Sequence, residues 1–143
     1  MSSVLAPVSP VPIGPSVHSR GAQAYFQTHV QSRSPVEVVV MLYDGAVRYL
    51  QQASRAMAAG DLVAKRDALS HGMTIVTELQ GMLNLEEGGE IARRLDGLYT
   101  YVHGCCLEAN AQRKPEKLDE AVRLLGTLRS AWAEVAATPP SVA

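Results

Sequence analysis

The segment from residue 34 to residue 60, SPVEVVVMLYDGAVRYLQQASRAMAAG, decides the fold of this chain. It opens with a helix-start signal, because Ser34 can cap a helix, Pro35 suits the first helical position and Glu37 completes a capping box. Apolar residues then recur at helical rather than strand spacing until Gly60. The segment therefore predicts a long amphipathic helix. Its main apolar row is Val36, Val39, Tyr43, Val47, Leu50 and Met57.

Three further segments show the same helical spacing. No proline occurs between Val36 and Lys114, and three breaks divide the chain: Gly60-Asp61, the stretch 87–90 and the stretch 114–116. Short loops connect antiparallel neighbours, so the pattern predicts an all-α, antiparallel up-down four-helix bundle. The expected helices cover about 35–59, 61–84, 88–112 and 115–137. The later apolar rows are Leu62, Leu69, Val76, Leu79 and Leu83; Ile91, Leu95, Leu98, Val102, Cys105 and Ala109; and Leu118, Ala121, Leu125, Leu128, Trp132 and Val135.

Composition limits the classes of partner. The 143 residues are 47% hydrophobic and 5% aromatic, which suits one domain with an aliphatic core. The formal charge of −1 gives no reason to expect nucleic acid as a partner. The longest apolar run, Val38 to Tyr43, is far shorter than the ~20 residues of a membrane span, so we expect no membrane insertion. The adjacent Cys105 and Cys106 exclude a disulfide framework, and the N-terminus lacks a secretory signal, so we expect a cytoplasmic protein.

The chain before the first helix differs from the rest. Four of the eight prolines fall in the first 15 residues, which predicts a disordered, Pro-rich leader over residues 1–21. We place the bundle domain at 22–137 and a flexible tail at 138–143. Residues 1–34 contain two arginines and no acid, whereas residues 35–143 carry a net charge of −3. This difference favours a weak, salt-dependent contact of the leader with the body.

A second apolar row lies about 100° from the first on three of the helices. Such wide apolar arcs have two interpretations, extra core packing or a groove for a partner helix. The members of the row are Val38, Leu42, Ala46, Tyr49 and Ala53 on the first helix, Ala68, Ile75 and Met82 on the second, and Tyr99 and Cys106 on the third.

Six glycines occupy positions that the pattern assigns to helix interiors. At about 0.8–1 kcal/mol each relative to Ala, they cost roughly 5–6 kcal/mol, close to the whole stability of a small domain. Either helices approach each other closely at these glycines, or the bundle is loose and gains order from a bound partner. The six are Gly45, Gly72, Gly81, Gly97, Gly104 and Gly126.

The sequence contains no pattern typical of catalysis. The four histidines are scattered without a Glu-x-x-His pair, so we expect no metal site and no cofactor. A histidine phosphotransfer bundle is an alternative through His71, although no Lys or Arg follows it by one turn. A passive helical adaptor is a second alternative. We therefore expect a protein that is not an enzyme.

Polar groups near the third helix suggest partner contacts. Tyr99 and Tyr101 diverge by about 200° on a helix, so at most one of them can point into the core. Asn110 lies near the expected end of the helix, where its amide can cap the helix or bind the backbone of a partner.

Several of these residues occur together in a familiar order. The motifs are Ala24-Tyr25 with Val30, Ser34-Pro35, the stretch 41–46 (MLYDGA), Gly60-Asp61 with 64–66 (AKR), the stretch 87–92 (EGGEIA), Leu95, Leu98-Tyr99, Tyr101, Leu107, Ala109-Asn110 and Trp132. In this combination the chain resembles the flagellar secretion chaperone family (FliS) over about residues 22–136.

The resemblance implies a fold and a function. Members of the family are antiparallel helical bundles that bind the disordered C-terminal region of flagellin and keep it from polymerising before type III export. A short N-terminal segment around Tyr25 is expected to pack on the bundle, and contacts with the flagellar export gate or a competing regulator are left open. The resemblance and the apolar rows together predict these partner-binding residues: Tyr25, Val30, Leu42, Tyr43, Ile75, Leu95, Tyr99, Tyr101, Leu107 and Asn110.

Overall fold

The structure, a computed structural model, describes residues 34–138. It contains four helices, α1 (Pro35–Ala59), α2 (Leu62–Gly81), α3 (Gly89–Gln112) and α4 (Pro115–Ala137), and no strand within the described range. Helix α1 packs most closely against α2 and α4, and α3 completes the ring between those two. The predicted all-α four-helix bundle is confirmed. The leader 1–21, Tyr25, Val30 and residues 139–143 lie outside the described residues.

The first helix begins and ends at the residues that its sequence signals indicate. The Ser34 hydroxyl accepts a hydrogen bond from the Glu37 amide at 3.2 Å, which satisfies one of the free N–H groups of the first turn. Gly60 adopts a φ of 76°, the left-handed conformation that glycine reaches without steric cost, and ends α1. Asp61 then caps α2 by accepting from the Ala64 amide at 3.1 Å.

Helix α2 ends at Gly81, three residues before the predicted end. Asn84 organises the chain here, because its side-chain carbonyl accepts from the Glu87 amide at 3.0 Å and its backbone carbonyl accepts from Gly88 at 2.7 Å. An asparagine that bonds the backbone in this way favours a turn over a further helical turn. Helix α3 starts at Gly89, and Glu90 lies in its first turn as expected.

Helices α1 and α2 run antiparallel in close contact. A Cβ added to Gly72 would lie 2.7 Å from Leu50 Cδ2, and one added to Gly45 would lie 3.2 Å from Ile75 Cδ1. Continuing this register places the first turn of α1 level with the turn between α2 and α3. We call this end of the bundle the entry end, because the chain enters α1 there, and the opposite end the far end.

Polar pairs fix the register of α1 against α4. Arg129 donates to Asp44 from Nε at 2.8 Å, and the Ser54 hydroxyl donates to Asp119 at 2.9 Å. These pairs show that α4 also runs antiparallel to α1. Helix α4 therefore ends at the entry end, beside the start of α1.

The second apolar row belongs to the core. Val38, Leu42, Ala46 and Ala53 are buried, as are Ile75 on α2 and Tyr99 and Cys106 on α3, while Tyr49 and Met82 are half-buried. Helix α1 needs a wide apolar arc because it contacts α2 on one side and α4 on the other. The groove interpretation of this row is therefore wrong for the closed bundle.

Two residues of the predicted core rows lie at the surface instead. Leu62 is 60% exposed and Ile91 is 56% exposed. Each lies in the first turn of its helix, at an end of the bundle, where neighbouring helices cover less of it. Helical periodicity alone does not predict that apolar residues at the ends of the bundle are less buried.

The glycines divide into two groups. Gly45 and Gly72 allow the close approach of α1 and α2, so close packing explains these two. An added Cβ on any of the other four helical glycines would meet nothing within 4 Å, so close packing is the wrong explanation for them. These four are Gly81, Gly97, Gly104 and Gly126.

Candidate functional site

Two of the predicted partner contacts form a buried pair at the centre of the bundle. The hydroxyls of Tyr43 on α1 and Tyr99 on α3 are 2.5 Å apart and hydrogen-bonded, and both side chains are almost completely buried. Burial raises the pKa of both phenols, because a phenolate would lose its hydration; the hydrogen bonds from Tyr99 and Trp132 only partly oppose this for Tyr43. The pair is therefore a neutral polar link between α1 and α3.

Three more of the predicted contacts are also core residues. Leu42, Ile75 and Leu95 are each less than a tenth exposed and belong to the same buried cluster as the tyrosine pair. In the closed bundle these five side chains present no surface to a partner. Their assignment as partner contacts stays a prediction that requires the helices to separate.

Polar bonds join α2 to α3 at three levels. At the far end, Lys65 Nζ donates to the Asn110 side-chain carbonyl at 2.8 Å. Towards the entry end, the side-chain amide of Gln80 donates to the Asp96 carboxylate at 2.9 Å and to the Thr100 hydroxyl at 3.0 Å. The contact between these two helices is thus partly a row of exposed polar bonds, unlike the apolar contact of α1 with α2.

The middle bond of this row involves a histidine. The Thr77 hydroxyl lies 3.3 Å from His103 Nε2 and 3.1 Å from the Met73 carbonyl oxygen, to which it can donate. Which atom donates between Thr77 and His103 depends on the tautomer of the ring. Burial lowers the pKa of His103, because the charged ring would be poorly hydrated here.

An exposed apolar side chain lies on α3 between the first and second of these bonds. Leu107, one turn after His103 on α3, is 60% exposed, and Met73 on the facing helix is half-buried against the core. We call this surface the α2–α3 groove. It consists of Lys65, Met73, Thr77, His103, Leu107 and Asn110.

The Asn110 side chain lies at the far end of the α2–α3 groove and does not cap helix α3. Helix α3 continues to Gln112, and Arg113, with a φ of 54°, ends it by donating its backbone N–H to the Ala109 carbonyl. The capping interpretation of Asn110 is therefore wrong. Its carbonyl is held by Lys65, so the amide lies at the surface between two helices.

Tyr101 lies on the other side of α3, facing α4. Its hydroxyl donates to Glu120, and this bond is the main reason why the pKa of Tyr101 rises to about 12. Lys117 lies 3.4 Å from both Glu108 and Glu120. The α3–α4 face is therefore a polar network around the half-exposed ring of Tyr101. Tyr101 and Leu107, both predicted partner contacts, lie on different sides of α3.

Large exposed apolar side chains also occur where the sequence did not indicate a site. Val63 and Leu62 lie at the far end, and Leu85 and Ile91 lie at the entry end. Leu62 and Ile91 follow the core periodicity, so only their position in a first turn could have marked them as exposed.

The described residues show no grouping typical of metal chemistry or of a membrane protein. No three His, Cys, Asp or Glu side chains between residues 34 and 138 could hold a metal ion together. None of the four helices is both long and apolar enough for a bilayer crossing. His71 is exposed, with Nδ1 on the Asp67 carbonyl at 2.6 Å and its ring stacked on Tyr49.

Comparisons with known proteins agree on one family. The family described as flagellar protein FliS matches residues 18–139. The flagellar secretion chaperone FliS of Salmonella typhimurium is 36% identical over 115 residues, which cover 80% of this chain and 85% of that protein. The FliS of Vibrio cholerae is 33% identical over 117 residues, which cover 79% and 86%.

A solved structure shows the same fold. The crystal structure of a bacterial flagellar chaperone superposes with a TM-score of 0.66 at 18% identity and covers 81% of this chain and 94% of that one. The likeness of fold and the sequence matches over most of the bundle lead to one conclusion. The chain belongs to the FliS family of flagellar secretion chaperones.

Proposed function

We propose that this protein is a non-enzymatic, cytoplasmic export chaperone that binds the disordered C-terminal region of flagellin, prevents its premature polymerisation and supports its export through the flagellar type III system. Family membership supports the chaperone class. The relatives are named as flagellar secretion chaperones, and the flagellin segment itself is our inference for this chain.

The observation that carries the proposal is the α2–α3 groove. An amphipathic client helix needs an apolar surface with polar groups at its ends, which is the usual form of helix-in-groove recognition. Leu107 supplies an exposed apolar contact, and the Lys65–Asn110 bond supplies polar groups one turn away. A disordered client would fold onto this surface and bury on the order of 1,000–3,000 Å².

The proposal is tested by titrating the full chain with a flagellin C-terminal peptide. Leu107→Ser should weaken binding roughly 5- to 100-fold, because it removes an apolar contact at the centre of the groove. Isothermal titration calorimetry should show a large negative heat-capacity change, and circular dichroism should show a gain in helicity on mixing.

Leu85→Ser is the matched control, since Leu85 is also an exposed leucine but lies at the entry end. It should leave the affinity unchanged. Equal affinities of the Leu107 and Leu85 variants would exclude the groove as the binding surface. Failure of every flagellin peptide to bind the unmodified chain would contradict the proposed function itself.

The same titration tests Tyr101, another of the predicted partner contacts. Tyr101→Ala removes a half-exposed ring on the α3–α4 face, so it tests whether the client extends beyond the groove. Tyr25 and Val30, outside the described residues, and contacts with the export gate or a regulator remain predictions. A passive adaptor for a folded partner would bind without the helicity gain.

A further inference from the structure

The far end of the α2–α3 groove contains a lysine whose charge is not neutralised by a neighbour. Lys65, half-buried near the start of α2, donates to the Asn110 side-chain carbonyl at 2.8 Å. It forms no ion pair with a carboxylate of residues 34–138. Asp61, one turn earlier on the same helix, instead accepts the Ala64 amide at 3.1 Å. The Lys65 ammonium therefore keeps two further N–H donors for a ligand.

The side chain of Asn110 provides more donors beside this charge. A lysine ammonium can only donate, so the carbonyl of Asn110 must face Lys65, and its NH2 group is left over. Asn110 is exposed, and this NH2 group forms no hydrogen bond within the described residues. An ammonium next to free amide N–H groups suits a carboxylate, which only accepts hydrogen bonds.

The place of this pair in the groove favours the end of a peptide over its middle. Leu107, 60% exposed, lies one turn before Asn110, so an apolar contact and the two donor groups are about 5 Å apart along α3. Helix α2 begins at Leu62 and α3 ends at Gln112, so the groove extends less than one turn beyond the pair. A helix that continued further would leave the bundle.

The charge of the whole bundle favours one direction of a bound helix. An entry half (residues 34–47, 74–103 and 126–138) contains eight acidic residues and three Lys or Arg, which gives a net charge of −5. The far half (48–73 and 104–125) has a net charge of +2. Because α2 and α3 are antiparallel, their own dipoles largely cancel. The negative C-terminal end of a client helix is therefore favoured at the far end, and its positive N-terminal end towards the entry end.

We propose that Lys65 and Asn110 bind the terminal α-carboxylate of the client, while an apolar side chain from the client's last turn packs on Leu107. The inference rests on the proposed function, in which the client segment is the C-terminal region of flagellin. It also fixes the direction of the client, which runs parallel to α3. From Lys65 to Gln80 the groove is about 22 Å long, enough for a client helix of about 15 residues.

The test compares two forms of one fluorescently labelled flagellin C-terminal peptide, ending either in the free carboxylate or in a carboxamide. Fluorescence anisotropy with the full chain gives both affinities. The free acid should bind roughly 5- to 30-fold more tightly, because the carboxamide lacks the charge and offers one acceptor oxygen instead of two. About 0.5 M NaCl should reduce this preference.

Variants of the pair should change the preference without abolishing binding. Lys65→Met keeps an apolar stem and should bind both peptides nearly alike, with the carboxamide affinity unchanged. Asn110→Asp should reverse the preference, because the new carboxylate pairs with Lys65 and repels the peptide terminus. The matched control is Lys114→Met, which removes an exposed lysine of the far end in the turn between α3 and α4 and should keep the preference.

Three results would overturn the assignment of the pair while leaving the proposed function intact. These are equal affinities of the unmodified chain for the two peptides, a preference that persists in Lys65→Met, and a preference lost equally in Lys114→Met. Failure of both peptides to bind the unmodified chain would contradict the proposed function and this inference together.

Discussion

At the residue scale, the most informative feature is the Tyr43–Tyr99 pair. Two phenol hydroxyls are buried in an otherwise aliphatic core, where an unpaired hydroxyl costs about 1–3 kcal/mol. The Tyr99 hydroxyl therefore depends on Tyr43, and Tyr99 is the main partner of the Tyr43 hydroxyl, which also bonds Trp132. The pair links α1 to α3, two helices that do not otherwise form one of the extensive contacts of the bundle.

This dependence predicts a non-additive pair of substitutions. Tyr43→Phe and Tyr99→Phe should each destabilise the fold by about 1–2 kcal/mol, because each leaves the remaining hydroxyl without its main partner. The double variant should cost clearly less than the sum of the two, since it removes both hydroxyls. Urea unfolding of the four proteins measures the coupling. Additive free energies of unfolding would show that the bond contributes nothing.

At the element scale, the four helices are not packed alike. The α1–α2 contact is apolar and depends on Gly45 and Gly72, whereas α2 and α3 are joined in part by exposed polar bonds such as Lys65–Asn110 and Thr77–His103. Helix α3 also contains two glycines, Gly97 and Gly104, that no neighbour approaches. These two glycines therefore lower the intrinsic helix stability of α3, which lies on the side of the bundle that contains the proposed groove.

Replacing glycine by alanine should have opposite effects on stability at different positions. Gly97→Ala and Gly104→Ala should each stabilise the protein by up to about 1 kcal/mol, because Ala is the better helix former and the added methyl meets open space. Gly72→Ala should destabilise by about 1–3 kcal/mol, since its methyl would lie 2.7 Å from Leu50 Cδ2 in the core. Thermal melts of the three variants test this. A stabilised Gly72 variant would contradict the close contact.

At the scale of the whole molecule, the bundle has two distinct ends and a core that contains titratable side chains, the phenols of Tyr43 and Tyr99 among them. The entry end contains the exposed Leu85 and Ile91, and the far end contains the exposed Leu62 and Val63. Global stability responds to pH through the buried phenols, because their ionisation is possible only when the core opens.

This response predicts steep alkaline unfolding. The pKa values of Tyr43 and Tyr99 are raised in the folded state, so their contribution is fully present below the unfolded value of about 10 and is lost as the pH rises above it. The free energy of unfolding should fall from about pH 10 upwards. The part of the absorbance at 295 nm that comes from the two buried phenols should then change together with the circular dichroism. The Tyr43→Phe, Tyr99→Phe double variant should lose this part of the slope, and an unchanged slope would contradict the assignment.

The sequence by itself determined the fold class and most of the helix boundaries. Local signals decide both: the cap at Ser34, the left-handed Gly60 and helical apolar spacing act within a few residues of the chain. The motif order also indicated the family, which the comparisons confirm. The predicted end of α2 was three residues too late, because the side chain of Asn84 forms a turn that the apolar pattern does not reveal.

Only the tertiary structure decided which apolar residues are core and which are surface. Periodicity shows that Tyr43, Tyr99 and Leu107 lie on apolar arcs, but burial depends on how many neighbours a helix has on each side. Helix α1 lies between α2 and α4, so most of both its rows is buried, whereas Leu107 lies on α3 beside the Lys65–Asn110 bond and is exposed. Exposure is a property of the arrangement of helices, and for that reason half of the predicted partner contacts are buried in the closed bundle.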